Sequence, residues 1–284
     1  MPHPGPARGR ARRVGPGWLA PLVDPPGPRV PGRILHPDLL PADPSACAIA
    51  VPARDEVRVI GLCIDALRRA ADAVAFPVSI TIACDACADG TADAARDAAA
   101  DDARITVIEG DWHSAGGARA AAAADALAAW TDLADPHTTW LLSTDADSVV
   151  PPSWIAAVAA VAADGADALA GIVELRRDDD WTPELARVFA SSYPLEATTH
   201  RHVHAANLAV RRTAYDSVGG FHPIEVGEDH DLWRRLQSGG FTCLPSVTWR
   251  VATSARTAGR APAGFAATLA RRLGRAARTG TAGR

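Results

Sequence analysis

The 284-residue chain has no lysine; all 29 of its basic residues are arginine. A Schiff-base lysine and a P-loop lysine are therefore excluded from its chemistry. Aromatic residues make up only 5% of the chain and methionine occurs once, so the core has to be built largely from Ala and Val. No run of about 20 apolar residues exists, which excludes a transmembrane helix of ordinary length. The first residues carry arginines but no apolar stretch behind them, so no secretory signal is expected. Cysteine is scarce and odd in number, five residues without a framework, which points to a reducing, cytoplasmic compartment. Cys84 and Cys87 form a lone Cys-x-x-Cys. With no partner pair and no thioredoxin-like context, it reads as two small residues at a strand end rather than a zinc or redox site. No Gly-x-Gly-x-x-Gly follows a strand, which argues against a dinucleotide dehydrogenase. A net charge of −4 offers no electrostatic attraction to nucleic acid.

What is present begins with a composition shift. Residues 1–44 are rich in Pro, Gly and Arg and lack hydrophobic periodicity, the signature of a disordered basic tail. From Cys47 onward, strands and helices alternate. Apolar runs predict strands at Ala48–Val51, Val78–Cys84, Arg104–Ile108, Thr138–Ser143 and Ala168–Leu175. Helical spacing fills the gaps, at Asp55–Ala75, 89–100, Gly116–Trp130 and Pro152–Ala163. Such alternation requires crossover connections and hence a layered α/β domain with a mostly parallel sheet. Further on, residues 178–200 read as a helix broken at Pro194, His202–Val210 as a strand and Arg211–Ser217 as a short helix. Gly227–Ser238 reads as a helix, 241–243 and 247–251 as short strands, and Phe265–Ala277 as a basic terminal helix.

Asp145 and Asp147 follow the apolar run Trp140-Leu141-Leu142 and precede Pro151-Pro152. They sit where the chain leaves a buried strand, and in open α/β sheets ligands bind there. Two Asp one residue apart can hold a hard divalent cation that bridges to substrate phosphates. Three other strand ends carry polar clusters: Pro52 to Glu56, Asp85 with Asp89-Gly90-Thr91, and Glu109-Gly110 with the Gly116-Gly117-Ala118-Arg119 turn. In a parallel sheet all lie along one edge, so one pocket can collect them and a nucleotide would fit it. Each cluster alone also suits ordinary turn and N-cap chemistry. A fifth cluster, Glu228-Asp229-His230-Asp231, opens a helix. A shared site would raise at least one carboxylate pKa there and could supply a general base, while acidic residues also favour helix N-termini for dipole reasons.

Taken together, VPARDE, ACDACADGT, GGAR, TDADS, HAANLAVRR followed by VGGF, and GEDHDLWRR resemble, in order and spacing, a family 2 glycosyltransferase of the GT-A fold, over about residues 46–260. The resemblance implies a single α/β domain with a Rossmann-like nucleotide-binding half and an acceptor-binding half. The chain then divides into the tail 1–44, a GT-A domain 45–260 and a basic C-terminal helix and tail 261–284. It further implies transfer of a sugar from a nucleotide-diphosphate sugar to an acceptor hydroxyl, with inversion. Pro52, Arg54, Glu56, Asp85, Gly117, Arg119 and Asp145 would bind the donor. Asp145 and Asp147 would hold Mn²⁺ or Mg²⁺. Asp229 would be the general base, with Glu228 beside it.

The chain departs from the family in having Cys87 where Ser is common and in showing no third metal ligand near the C-terminus. Arg256 and Arg260 could clamp the diphosphate instead, since Arg suits bidentate phosphate contact; surface solvation is the alternative. His200, His202 and His204 alternate and would share one strand face, too far apart for one ion. His204, ahead of Asn207, is expected on the acceptor side. Trp233 and Trp249 either stack on an acceptor sugar or belong to the core. The expected acceptor is a small molecule, lipid or glycan, and the basic terminal helix is a candidate for peripheral membrane contact. Competing readings are a nucleotidyltransferase, which would carry a Gly-rich basic loop after the first strand, and an inactive binding paralogue.

Overall fold

A computed structural model describes residues 44–178, 180–259 and 264–281. The N-terminal tail and Arg260 lie outside the described residues. Seven strands form one sheet in the order β3-β2-β1-β4-β6-β5-β7. They are β1 (Ala46–Ala53), β2 (Val78–Asp85), β3 (Ile105–Gly110), β4 (Thr139–Ser143), β5 (Ala168–Leu175), β6 (Leu208–Arg211) and β7 (Cys243–Thr253). The first four run parallel, as the alternation predicts. Strand β6 is antiparallel to both β4 and β5, and β7 is again parallel to β5.

The pleat of β1 shows why the sheet is covered on both faces. Cys47, Ile49 and Val51 pack against Ile60, Ile64 and Leu67 of α1 (Ile60–Asp72). Ala48 and Ala50 face the other way, onto Ala118, Ala122 and Ala126 of α3 (Ala115–Ala128). A strand buried on both sides reads as a continuous apolar run. The Ala-on-Ala contact brings α3 close to the sheet, which is how a chain poor in large side chains packs densely. Helix α2 (Thr91–Ala99) and α4 (Ala156–Ala163) flank the first face, α6 (Arg212–Ser217) and α7 (Glu228–Ser238) the second.

Several elements differ from the sequence expectation for identifiable reasons. Helix α1 starts at Ile60, not Asp55, because residues 55–57 are latched to the second strand end. There Ala88 N donates to Asp55 Oδ1 (2.8 Å), Glu56 N to Thr91 Oγ1 (2.7 Å) and Val57 N to Asp89 Oδ2 (3.2 Å). Helix α4 begins at Ala156, after a turn at 152–155. Helix α5 (Pro183–Ser192) is shorter than read; Thr182 caps it by accepting from Leu185 N, and it stops at Tyr193, ahead of Pro194. The expected strand over His202–Val210 is interrupted by a 3-10 turn at Ala205–Asn207, leaving only β6. The two short strands after Gly240 are one, β7, whose pairing to β5 slips between Ala170 and Ile172. Helix α8 (Phe265–Thr281) lays Phe265, Leu269 and Leu273 against Leu175, Trp181, Leu185 and Phe189, so its apolar stripe is spent on the protein. No described helix is long and apolar enough to cross a membrane.

Candidate active site

One cavity of ≈ 580 Å³ opens at the C-terminal edge of the parallel strands. Its walls carry Pro52 and Arg54, Asp85, Asp145 and Asp147, and Glu228 and Asp229, together with His204 and Arg256. Parallel pairing explains the convergence: Ala53 of β1 is level with Cys84 of β2, and Ala50 with Ser143 of β4. Each loop therefore leaves the sheet beside the next.

Asp85 is buried and accepts from His113 N at 2.7 Å, with Arg54 at 3.8 Å from its other oxygen. Asp89 and Thr91 do not reach the cavity. Asp89 accepts from Thr91 N and from Val57 N, so this half of the motif anchors the first loop rather than binding anything.

Asp145 and Asp147 each already hold an arginine. Arg119, 3% exposed, donates to Asp145 Oδ1 (2.7 Å), to Ser143 Oγ (2.6 Å) and to Thr144 O (3.2 Å), and pairs with Glu228 Oε1 at 3.3 Å. Burial opposes the charge of Arg119, but Asp145 and Glu228 outweigh it and hold its pKa above the usual guanidinium value. Asp147 is pushed up to about 6, chiefly by burial and then by Asp145 and Glu56, against the pull of Arg256 and Thr253. Arg256 lies 3.0 Å from Asp147 Oδ2 and donates to both oxygens of Glu56 at 2.6 Å. Among the described residues Asp145 Oδ2 has no hydrogen-bond partner, and no group of three or more His, Cys, Asp or Glu could hold a metal.

Within the acidic cluster at the start of α7, Glu228 and Asp229 share the cavity and Asp231 does not line it. Glu228 turns inward to Arg119, and burial raises its pKa. Asp229 faces the cavity; its oxygens accept from Ala205 N (3.0 Å) and His230 N (2.7 Å). Asp231 points away. Although burial pushes its pKa up, Arg235 (2.8 Å), His222 (3.0 Å) and Arg234 outweigh that and lower it. Arg235 in turn donates to Gly220 O at 2.6 Å, which pins the Gly219-Gly220-Phe221 turn.

Gly116, Gly117, Asn207, Trp233 and Trp249 are not brought to this cavity. Gly117 is held by its neighbours: its N–H donates to Ser114 Oγ (3.0 Å), capping α3, and a side chain there would strike that hydroxyl and crowd Trp112. Gly116 likewise accommodates the backbone of His222 and Ile224 rather than a ligand. Asn207 is wholly buried and fully engaged. It accepts from Trp154 Nε1 (2.9 Å) and donates to Ile172 O (3.0 Å) and Trp249 O (2.8 Å). Trp249 stacks on Trp154 with ring centroids 5.6 Å apart, inside the core. Trp233 packs beside Leu232 and Leu236, and its residual surface lines a different cavity. His200, His202 and His204 are off any strand, yet their rings do stack, with Tyr193 slotted against His202 at 3.7 Å. His200 is tied to Ala170 O. His204 reaches the cavity wall with Nε2 buried and unpartnered.

Sequence reasoning missed the wall formed by Val173, Phe189, Val203, Phe265 and Leu269, and Thr253, whose hydroxyl donates to Asp147 Oδ1 at 3.3 Å. Thr253 ends β7 and was findable as a polar residue at a strand terminus. The apolar wall had no local signal.

Residues 44–277 match the family model described as glycosyltransferase like family 2. Among solved structures, the chain is similar to mannosyltransferase PcManGT from Pyrobaculum calidifontis in complex with GDP-Man and Mn²⁺. Identity is 20%, coverage 77% of this chain and 59% of that chain, and the TM-score 0.54. It is also similar to S. aureus TarS 1-349 in complex with UDP-GlcNAc, at 11% identity, 81% and 65% coverage and a TM-score of 0.55. These are likenesses of fold, and the chain spans less than two thirds of either structure's length. No curated protein matches it by sequence.

Proposed function

Because the chain belongs to the glycosyltransferase like family 2, we propose that it moves a sugar from a nucleotide-diphosphate sugar to an acceptor hydroxyl, with inversion and with help from Mn²⁺ or Mg²⁺. The observation that carries this reading is the convergence of Asp85, Asp145, Asp147 and Asp229 on one cavity. The ligands named for PcManGT (GDP-Man and Mn²⁺) and for TarS (UDP-GlcNAc) are of the same chemical kind. The cytoplasmic setting read from the cysteines belongs to the same proposal.

Asp85, with Arg54 and the Pro52 loop, takes the base and ribose. The donor set suits a hard cation held by few protein ligands. Asp145 has a free oxygen, and Asp147 sits where burial and neighbouring carboxylates make its own charge costly. A magnesium-like ion usually takes one or two carboxylates and completes its shell from substrate phosphates and water. When bound, it would stabilise the charge growing on the departing nucleoside diphosphate. Arg119 is a positioning residue that fixes Asp145 on one side and Glu228 on the other.

Asp229 takes the proton. As the acceptor oxygen bonds to the anomeric carbon, its hydrogen passes to the Asp229 carboxylate. The bond from that carbon to the diphosphate oxygen breaks, and its electron pair leaves with the nucleotide. The amides of Ala205 and His230 hold the carboxylate at the cavity wall for this.

A thermal-shift series with nucleoside diphosphates and nucleotide sugars, with and without Mn²⁺, tests the reading. A ligand that raises the melting temperature only with metal, through mass action on the folded state, supports it. The metal-dependent shift should be lost in Asp147→Ala. Failure of every nucleotide to stabilise the wild-type chain would overturn the reading.

A further inference from the structure

Beside the main cavity lies a second, of ≈ 380 Å³, lined by Arg201, His202, His230, Trp233, Arg234 and Gln237 among others. Val203 and His230 line both cavities, so the two meet at the residue next to Asp229. No Asp or Glu is among the residues lining the second cavity. The nearby carboxylates are committed elsewhere: Asp229 to two amides, Asp231 to Arg235 and His222, and Asp167 to Thr242 N and Arg211.

The cations are not similarly satisfied. Among the described residues Arg201 has no hydrogen-bond or ion-pair partner. Arg234 pairs with Asp231 at 3.6 Å, but its side chain is 69% exposed and makes no hydrogen bond among the described residues. The His230 ring has no hydrogen-bond partner either. Arg201 and Arg234 line the same hollow as His202, His230 and Gln237, with no carboxylate among the lining residues, a setting that suits an oxyanion. A phosphate monoester, with about −1.5 to −2 charges and three acceptor oxygens, matches two arginines better than a single carboxylate does.

We propose that the second cavity binds a phosphate group carried by the acceptor, so that the substrate glycosylated at Asp229 is a phosphorylated molecule. The placement of its hydroxyl rests on the reading of the main cavity; the anion site does not. Phosphate engages Arg201 and Arg234, and the rest of the acceptor crosses the seam at Val203 and His230, with the remaining surface of Trp233 beneath it. In this arrangement the exposed edge of Trp233 serves the acceptor from the second cavity, while the rest of its ring stays in the core.

Calorimetric titration of the full chain with inorganic phosphate tests the site. We expect millimolar or tighter binding in the wild type and in Arg256→Gln, and an affinity about tenfold or more weaker in the Arg201→Ala/Arg234→Ala double variant. Both replaced side chains lie at the surface, so folding is not at stake. Equal binding by the double variant, loss of binding in Arg256→Gln instead, or no binding by the wild type would each overturn the proposal. Nucleoside diphosphate binding with Mn²⁺, measured on the same proteins, keeps the two readings separate: its absence everywhere overturns the donor assignment and leaves the phosphate result standing. Glycerol 3-phosphate and vesicles of phosphatidylcholine with phosphatidic acid then distinguish the source. Capture by vesicles that depends on the two arginines assigns the phosphate to a lipid. Binding of glycerol 3-phosphate alone assigns it to a soluble acceptor.

Discussion

Arg256 grips both oxygens of Glu56 at 2.6 Å, joining residues 200 positions apart across the mouth of the cavity. The same guanidinium lies 3.0 Å from Asp147. The segment after β7 is thereby tied to the loop after β1 by a pair in which Glu56 is buried and Arg256 only partly so.

Replacing Arg256 with Gln leaves Glu56 and Asp147 facing each other without a cation. Breaking a fully buried pair costs about 3–5 kcal/mol; partial exposure of Arg256 brings the expectation to roughly 1–3 kcal/mol. Thermal melts without metal should show that loss, and added Mn²⁺ should restore more stability to the variant than it adds to the wild type. An equal response to Mn²⁺ in both would show that Arg256 and the cation do not share Asp147.

Asp229→Asn keeps the size of the side chain but removes its basicity. Sugar transfer is expected to fall by about 10²–10⁴-fold, with nucleotide binding unchanged in calorimetry. Loss of nucleotide binding in this variant would remove Asp229 from the role of base.

Arg119→Met strands the buried Glu228 as an uncompensated carboxylate and leaves the more exposed Asp145 without its cation. Urea unfolding should report a loss of about 3–5 kcal/mol. Adding Glu228→Gln to the same chain should recover part of it, because the buried stranded charge is gone. Strict additivity of the two changes would mean that they do not interact.

Asn207→Leu tests the correction to the sequence reading. It leaves the carbonyls of Ile172 and Trp249 and the indole N–H of Trp154 without partners. At roughly 1–3 kcal/mol for each unsatisfied buried group, a large stability loss is expected. Nucleotide affinity, measured below the transition, should not change. A selective loss of affinity would return Asn207 to the ligand site.

His204 contributes one part of the pH dependence of stability. Burial lowers its pKa to about 4, only partly offset by Asp229, against about 6.5 in an unfolded chain. Between those values the unfolded state binds the proton and the folded state does not. Stability from this group is therefore complete above about pH 6.5, falls as pH drops, and levels off below about pH 4, a loss of up to about 3 kcal/mol. Urea melts at pH 7 and pH 5 should converge in His204→Gln relative to the wild type. An unchanged slope would contradict the burial of the ring.

Much of this architecture was legible in the chain itself. Strands and helices announce themselves through local periodicity, and loops at the ends of parallel strands must lie along one edge. The parallel run of β1 to β4 and the cluster of Asp85, Asp145 and Asp147 follow from those two facts, whereas the order of the strands in the sheet does not. Motif chemistry was legible only as residue type: Asp89, Gly117 and Asp231 belong to the same short patterns as the cavity residues but serve as caps and latches. Which member of a cluster faces the cavity depends on a rotation of one residue, which neighbours in sequence do not specify.

Composition and spacing determined an α/β domain with carboxylates at its sheet edge. Tertiary structure alone decided that Arg119 would bridge Asp145 to Glu228, that Asn207 would turn into the core, and that Arg256 would close on Glu56. Each of these is a pairing between distant segments. Periodicity and turn chemistry act over a few residues, whereas a buried charge or amide finds its partner only once the sheet order has brought the segments together and removed the water that would otherwise have satisfied it.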